Sequence, residues 1–215
     1  MELNKYIEHT LLKQDATREE IKKILDEAIE YKFLGVCVNP CNVNFAKQYL
    51  KDTDVKVVTV IGFPLGQTTC EAKVLETVDA VKNGADEIDM VINGGKLKDK
   101  EYDYTIDEIS KIKSACQGRN LKVILETDLL NSEEIKKACE LCVKGGANLV
   151  KTSTGFVKNG VGAKVEDVKL MYETVKNFGL EVKASGGIRN KEAALKMIEA
   201  GATRLGTSSG VKIVS

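Results

Sequence analysis

One pattern repeats along the whole chain and limits the folds open to it: a helical segment, a Gly-Ala step, a short apolar strand and a polar or glycine-containing loop. Three copies are especially clear, because Gly84, Gly146 and Gly201 each stand between a helical pattern and an apolar run. Glycine at that position is typical of a helix C-cap. The repeat therefore predicts strands that alternate with helices, as in a parallel sheet covered by helices.

Counting the repeats gives a fold class. Eight units, with no dinucleotide-type glycine fingerprint after the first strand, favour a (β/α)8 TIM barrel that forms a single domain over residues 1–215. An open doubly wound sheet is the alternative, since it has the same alternation. Thr17 is a candidate N-cap for the first helix. The predicted strands are residues 6–10, 35–39, 55–61, 87–93, 121–127, 148–153, 180–185 and 203–207.

Charge and hydropathy exclude several classes of function. The chain has 32 basic and 32 acidic residues, so no overall field favours nucleic acid or a membrane surface. No apolar run approaches a membrane-spanning length, and the first residues lack the apolar stretch of a secretory signal. We therefore expect a cytoplasmic protein whose cysteines are reduced.

Three of the charged residues within the predicted strands stand at positions where apolar residues were expected. Alternation along each strand turns Asp89, Lys151 and Lys183 towards the barrel interior. Two inward lysines on neighbouring strands disfavour each other's charged form, which predicts lowered lysine pKa values and an amine able to attack a carbonyl. Asp89 is then a counter-charge and a proton shuttle. Spacing alone leaves a second interpretation open, in which both lysines extend to solvent and Asp89 is only an ion-pair partner.

Glycines and hydroxyl groups are concentrated in the loops after the last three predicted strands. These loops span residues 152–155, 185–189 and 206–210. Glycine lets backbone N–H groups approach an oxyanion, and hydroxyl groups donate further hydrogen bonds. Because the late loops of such barrels commonly bind phosphate, the sequence predicts a phosphorylated small-molecule substrate.

Six segments resemble, in order, those of the deoxyribose-phosphate aldolase family. The Lys-Thr-Ser-Thr-Gly element that begins at Lys151 and the Lys-x-Ser-Gly-Gly-x-Arg element that begins at Lys183 are specific in combination. The resemblance implies reversible cleavage of 2-deoxy-D-ribose 5-phosphate to D-glyceraldehyde 3-phosphate and acetaldehyde, with no metal and no other cofactor. The segments are residues 7–13, 36–40, 62–66, 87–93, 150–156 and 183–189.

The same resemblance implies residue roles and decides between the two interpretations of the paired lysines. Lys151 would form the Schiff base, and Asp89 and Lys183 would belong to the proton-transfer network. A homo-oligomer, either a dimer or a tetramer, is expected on the same basis. The implied phosphate ligands are Gly155, Gly186, Gly187, Arg189, Ser208 and Ser209.

Three positions depart from the family pattern. Glu8 stands where an aspartate is common, Phe156 stands where some members have a lysine, and residues 211–215 contain no tyrosine. The Cys139-x-x-Cys142 spacing is half of a zinc site but has no second pair, so no metal site is predicted. Two alternatives remain: another phosphate-binding barrel lyase or isomerase, and a non-catalytic sugar-phosphate sensor.

Overall fold

Residues 2–215 are described by a computed structural model, in which eight parallel strands form a closed barrel in the order β1 to β8. The barrel closes because β1 pairs with β8, with Ile7 opposite Leu205. Closure confirms the predicted (β/α)8 barrel and excludes the open sheet. The strands are β1 Ile7–Leu11, β2 Gly35–Val38, β3 Lys56–Ile61, β4 Glu87–Val91, β5 Asn120–Ile124, β6 Leu149–Lys151, β7 Glu181–Ser185 and β8 Arg204–Thr207.

The helices surround the barrel and connect successive strands. Short 3-10 helices occupy Leu3–Tyr6, Pro40–Asn42, Thr127–Leu129 and Lys176–Phe178. Nowhere in residues 2–215 does a helix combine the length and the apolar composition needed to cross a membrane. The α-helices are α1 Arg18–Glu30, α2 Val43–Tyr49, α3 Cys70–Lys82, α4 Gly94–Lys98, α5 Tyr102–Ala115, α6 Ser132–Lys144, α7 Val165–Val175, α8 Lys191–Glu199 and α9 Gly210–Val214.

Local signals in the sequence set the helix ends. Thr17 caps α1: its hydroxyl accepts from the Glu20 backbone N–H, and the Glu20 carboxylate accepts from the Thr17 N–H. After α8, Gly201 has a φ of 110° and the Ala202 N–H donates to the Met197 carbonyl, which closes the helix. A Cβ at Gly201 would lie 2.3 Å from the Tyr172 ring, so both the backbone angle and the packing require glycine.

The main hydrophobic core lies between the strands and the helices. On β4, Ile88 and Met90 are fully buried in this layer, and Asp89 between them takes the opposite side. The barrel interior is divided: one part is a small apolar cluster that includes Cys37, Val58 and Val60. Buried charged side chains, among them Asp89, Lys122 and Lys183, occupy much of the remainder, which makes the interior a polar site as well as a core.

Candidate active site

The three catalytic residues predicted from sequence lie together inside the barrel. Lys151 ends β6 and is directly opposite Lys183 of β7 in the strand register. Their Nζ atoms lie 2.9 and 2.7 Å from the same oxygen, Oδ2 of Asp89 on β4. Asp89 and Lys183 are 0% exposed and Lys151 is 3% exposed, so neither lysine extends to bulk solvent.

Sequence reasoning missed three further charged residues of this cluster. Lys122 of β5 lies 3.0 Å from Asp89 Oδ1 and 2.6 Å from Glu87 Oε2, and the latter contact is an ion pair without hydrogen-bond alignment. Glu8 of β1 forms an ion pair with Lys183 and lies 3.4 Å from Lys122 Nζ. The signal was available: Lys122 stands between Leu121 and Val123, the same alternation that places Lys151 inside.

The charges of this cluster determine its protonation. Burial alone raises the pKa of Asp89, but Lys122, Lys151 and Lys183 hold it well below its usual range, so Asp89 is a carboxylate. Burial lowers the pKa of Lys183, yet Asp89 and Glu8 outweigh that effect and raise it. The prediction that lysine proximity lowers the pKa is therefore wrong for Lys183. The adjacent carboxylates, which spacing did not reveal, more than compensate for the neighbouring ammonium groups.

A cavity of about 350 Å³ opens at the carboxyl ends of the strands and reaches Lys151. Of the three lysines inside the barrel, Lys151 alone is among the lining residues; Lys122 and Lys183 lie beneath the cavity. Two further cationic side chains, those of Lys13 and Arg189, line the outer part. The lining comprises Thr10, Leu11, Leu12, Lys13, Lys151, Ser153, Thr154, Gly155, Phe156, Ser185, Gly186, Gly187, Ile188, Arg189, Gly206, Thr207 and Ser208.

The three glycine- and hydroxyl-rich loops converge on this cavity. Five of the six phosphate ligands expected from the resemblance line it, and Ser209 does not. The backbone N–H of Ser209 instead donates to the Thr207 hydroxyl, whose own proton goes to the Ile188 carbonyl. Phe156, at a position of departure from the family pattern, also lines the cavity and packs edge-on against Phe63.

Side-chain hydrogen bonds hold these loops in place. The Thr152 hydroxyl donates to the Ser185 carbonyl and accepts from the Ser185 N–H, which joins the ends of β6 and β7. The buried Glu126 carboxylate accepts from both the N–H and the hydroxyl of Thr154. A Cβ at Gly187, where φ is 76°, would lie 2.5 Å from the Val161 carbonyl oxygen, so this loop position requires glycine.

Metal ligands are not grouped here. Within the described residues 2–215, no three or more His, Cys, Asp or Glu side chains are arranged to hold a metal ion. Cys139 and Cys142 are both buried in α6, and burial raises the pKa of each thiol. The arrangement offers an accessible amine beside a carboxylate, a buried ammonium group and a cationic loop cluster. These are the elements of a barrel enzyme that acts on an anionic carbonyl compound.

Comparison with known proteins identifies the family. Residues 4–215 match the DeoC/LacD family aldolases. Deoxyribose-phosphate aldolase of Finegoldia magna is 58% identical over 214 residues, which are 100% of this chain and 99% of that protein. The corresponding enzyme of Enterococcus faecalis is 58% identical over 216 residues, covering 100% and 97% of the two chains. The chain therefore belongs to the DeoC/LacD aldolase family.

A solved structure agrees with this assignment. The tetrameric deoxyribose phosphate aldolase of Aeropyrum pernix superimposes with a TM-score of 0.91 at 33% sequence identity, covering 99% of this chain and 89% of that chain. The fold similarity thus extends over essentially the whole barrel.

Proposed function

We propose that the protein is a deoxyribose-phosphate aldolase, which reversibly cleaves 2-deoxy-D-ribose 5-phosphate to D-glyceraldehyde 3-phosphate and acetaldehyde through a Schiff base on Lys151. The single observation that carries the assignment to Lys151 is its position: it is the lysine that both contacts Asp89 and lines the cavity. The names of the relatives support the substrate.

The covalent sequence begins at the Lys151 amine. Its neutral form attacks the aldehyde carbon of the open-chain sugar, and loss of water leaves a cationic iminium ion. A base removes the proton of the C3 hydroxyl, the C2–C3 bond breaks, and its electron pair flows to the iminium nitrogen. D-glyceraldehyde 3-phosphate leaves, and an enamine remains. Protonation of the enamine carbon and addition of water then release acetaldehyde and the free amine.

Asp89 and Lys183 would serve the proton transfers. Asp89 is a carboxylate that accepts from both lysines through one oxygen, so it can receive a proton and return it through small movements. Lys183 is held cationic by Asp89 and Glu8, which suits a hydrogen-bond donor and an electrostatic partner better than a nucleophile. This difference in environment supports Lys151 as the residue that attacks.

The loop cluster would bind the 5-phosphate. Backbone N–H groups, hydroxyl groups and one guanidinium group supply the donors that a phosphate dianion needs. The proposed ligands are Gly155, Gly186, Gly187, Arg189, Ser208 and Ser209. The first five line the cavity, and Ser209 lies immediately beyond it.

We infer three further properties. The reaction needs no metal, because the iminium nitrogen withdraws electrons in place of a Lewis acid. Residues 1–215 act as one barrel domain in the cytoplasm. The protein self-associates as a dimer or tetramer, which is supported by the tetrameric relative and by the exposed Leu75 and Val78 on α3.

The direct test is an assay of 2-deoxy-D-ribose 5-phosphate cleavage, with triose phosphate measured through a coupled dehydrogenase. We expect turnover that persists after exhaustive chelation. Turnover that disappears on chelation and returns with a divalent metal would contradict the Schiff-base route. Absence of cleavage together with turnover of another sugar phosphate would favour a different lyase or an isomerase on the same barrel.

A further inference from the structure

Charged side chains form a continuous line through the barrel, from the cavity to the opposite end. Lys151 Nζ lies 2.9 Å from Asp89 Oδ2, and Asp89 Oδ1 lies 3.0 Å from Lys122 Nζ. Lys122 Nζ lies 2.6 Å from Glu87 Oε2, and Glu87 Oε1 accepts from Lys56 Nζ at 2.8 Å. Each contact is an ion pair, and signs alternate along the line.

The far end of this line is at the amino-terminal end of the barrel. Glu87 is the first residue of β4 and Lys56 is the first residue of β3. The Glu87 side chain is 2% exposed, whereas that of Lys56 is 40% exposed and meets solvent there. Arg204 and Asn120 also approach Glu87, with nitrogens 3.9 and 3.3 Å from its Oε1.

Packing does not require charge at this depth. The neighbouring part of the interior is filled by Cys37, Val58 and Val60, so the barrel accommodates apolar residues. Burial raises the pKa of Glu87, but Lys122, Lys56 and Arg204 outweigh it and hold the pKa at about 2. Glu87 is therefore a carboxylate at neutral pH, although it contacts neither the cavity nor Lys151.

Lys122 transmits the effect of Glu87 to the site. Burial lowers the pKa of Lys122, but Asp89, Glu8 and Glu87 raise it, while Lys183 opposes them. Lys122 is thus a cation that contacts Glu87 at the amino-terminal end of the barrel and Asp89 on the side of the cavity. Its contact with Asp89 Oδ1 leaves Oδ2 for Lys151 and Lys183.

We propose that Glu87 is a positioning residue for the lysine chemistry: it anchors Lys122, and through Lys122 and Asp89 it sets the electrostatic potential at the Lys151 amine from the opposite end of the barrel. This inference rests on the proposed Schiff-base function. It assigns a role in the reaction to residues at the amino-terminal end, where conservation in such barrels is usually read as stability.

The balance of charges inside the barrel explains how Glu87 would affect the reaction at Lys151. The barrel interior holds three buried carboxylates, those of Glu8, Glu87 and Asp89, and three buried lysines. With all six ionised the charges cancel. The balance is lost when Lys151 gives up its proton before attack, and it is restored when the iminium ion forms. Glu87 therefore favours the cationic intermediate over the neutral amine, at the cost of a higher pH for amine attack.

The experiment measures how the rate of Lys151 labelling depends on pH, using acetaldehyde with cyanoborohydride and peptide mapping. Glu87→Gln removes one negative charge with little change of shape. The pH at which the labelling rate of Lys151 is half-maximal, called the midpoint here, should therefore move down by about one pH unit. Lys56→Gln removes a positive charge from the same line, so the midpoint should move up by about 0.3 pH unit, less because Lys56 is partly solvated. Lys196→Gln on the surface of α8 is the charge-matched control and should move nothing.

Opposite shifts from the two variants support the inference, because loss of packing alone would not reverse sign. Unmoved midpoints, or shifts in the same direction, overturn it. If Glu87→Gln does not fold, Lys56→Gln decides: an upward shift supports the inference and no shift overturns it. Failure of the unmodified protein to label at Lys151 overturns the proposed function as well. The unmodified protein therefore tests the proposed function, and the variants test the role of Glu87.

Discussion

Two regions of the molecule bury lysine against carboxylate, and they differ in almost everything else. Between α3 and α5, Lys73 Nζ lies 2.8 Å from Glu108 Oε1 and donates to the Val91 carbonyl at 2.9 Å, with both side chains 0% exposed. Inside the barrel, Asp89 contacts several lysines, and Lys151 reaches a cavity. The first region is a closed pair and the second is an open cluster.

The comparison shows that burial and ion pairing alone do not identify a reactive site. Both regions share those properties. A buried ion pair affects stability mainly when one partner is removed, because the other charge is then left without a partner. The barrel cluster differs because its charges are shared among several groups and because one amine is accessible to a ligand. The following substitutions test whether that difference is functional.

The largest effect is expected for Lys151→Arg. A guanidinium group keeps the positive charge beside Asp89, so the fold should be retained, but it cannot form the iminium ion. We expect cleavage to fall by more than roughly 10³-fold, measured in the coupled assay. Thermal unfolding of the same variant is the control, and a variant that retains activity would contradict the role of Lys151.

Substitution in the closed Lys73–Glu108 pair should lower stability rather than abolish catalysis. Lys73→Met leaves Glu108 buried without a partner and should lower the free energy of unfolding by about 3–5 kcal/mol. The matched double variant, Lys73→Met with Glu108→Leu, should recover most of that stability. Chemical denaturation measures both. If instead the folded Lys73→Met protein lost turnover as severely as Lys151→Arg, the distinction between the two regions would be lost.

A smaller effect is expected at the phosphate loops. Ser208→Glu places a carboxylate in the lining of the cavity, where it would repel the phosphate dianion. We expect the KM for 2-deoxy-D-ribose 5-phosphate to rise about 10-fold, or about 1.4 kcal/mol. Unphosphorylated 2-deoxyribose should be affected little. Ser209→Glu extends the comparison to a residue outside the lining, and equal losses with both sugars would show that the phosphate lies elsewhere.

The last prediction concerns stability in acid. The pKa of Glu87 is lowered from 4.5 to about 2, so its contribution to stability is fully present above 4.5 and is lost as the pH falls towards 2. Burial raises the pKa of Glu108, which gives the opposite sign: its ionisation costs stability as the pH rises. Unfolding free energies between pH 5 and 2 should therefore fall less steeply in Glu87→Gln than in the unmodified protein, and more steeply in Glu108→Gln.

Most of the fold could be predicted from the sequence, because local signals are strong and repeated. The Gly-Ala steps mark helix ends, and Gly201 closes α8 with the expected backbone conformation. All eight strands occur where expected, but their bounds differ at the ends: β6 covers only Leu149–Lys151, whereas β1 continues to Leu11 and β5 begins at Asn120. Strand ends depend on hydrogen bonds between neighbours, which the spacing of residues in one segment does not contain.

The site could be predicted in part. Alternation correctly turned Asp89 and Lys151 inward, but the charge state of Lys183 depends on Glu8, which is 175 residues away along the chain. Such long-range contacts are set by closure of the barrel. Glu126 has a left-handed φ of 60° and accepts a hydrogen bond from the Thr154 N–H. Non-glycine residues seldom adopt that conformation, so the sequence around Glu126 did not predict it.

Reductive trapping tests the central claim most directly. With acetaldehyde and borohydride at neutral pH, the iminium ion should be reduced to a stable secondary amine, and peptide mapping should find one ethyl group chiefly on Lys151. Surface lysines should react slowly, because their pKa of roughly 10.4 leaves few neutral amines. Lys151→Arg should remove the adduct. An adduct on Lys183, with Lys151→Arg still active, would contradict the account.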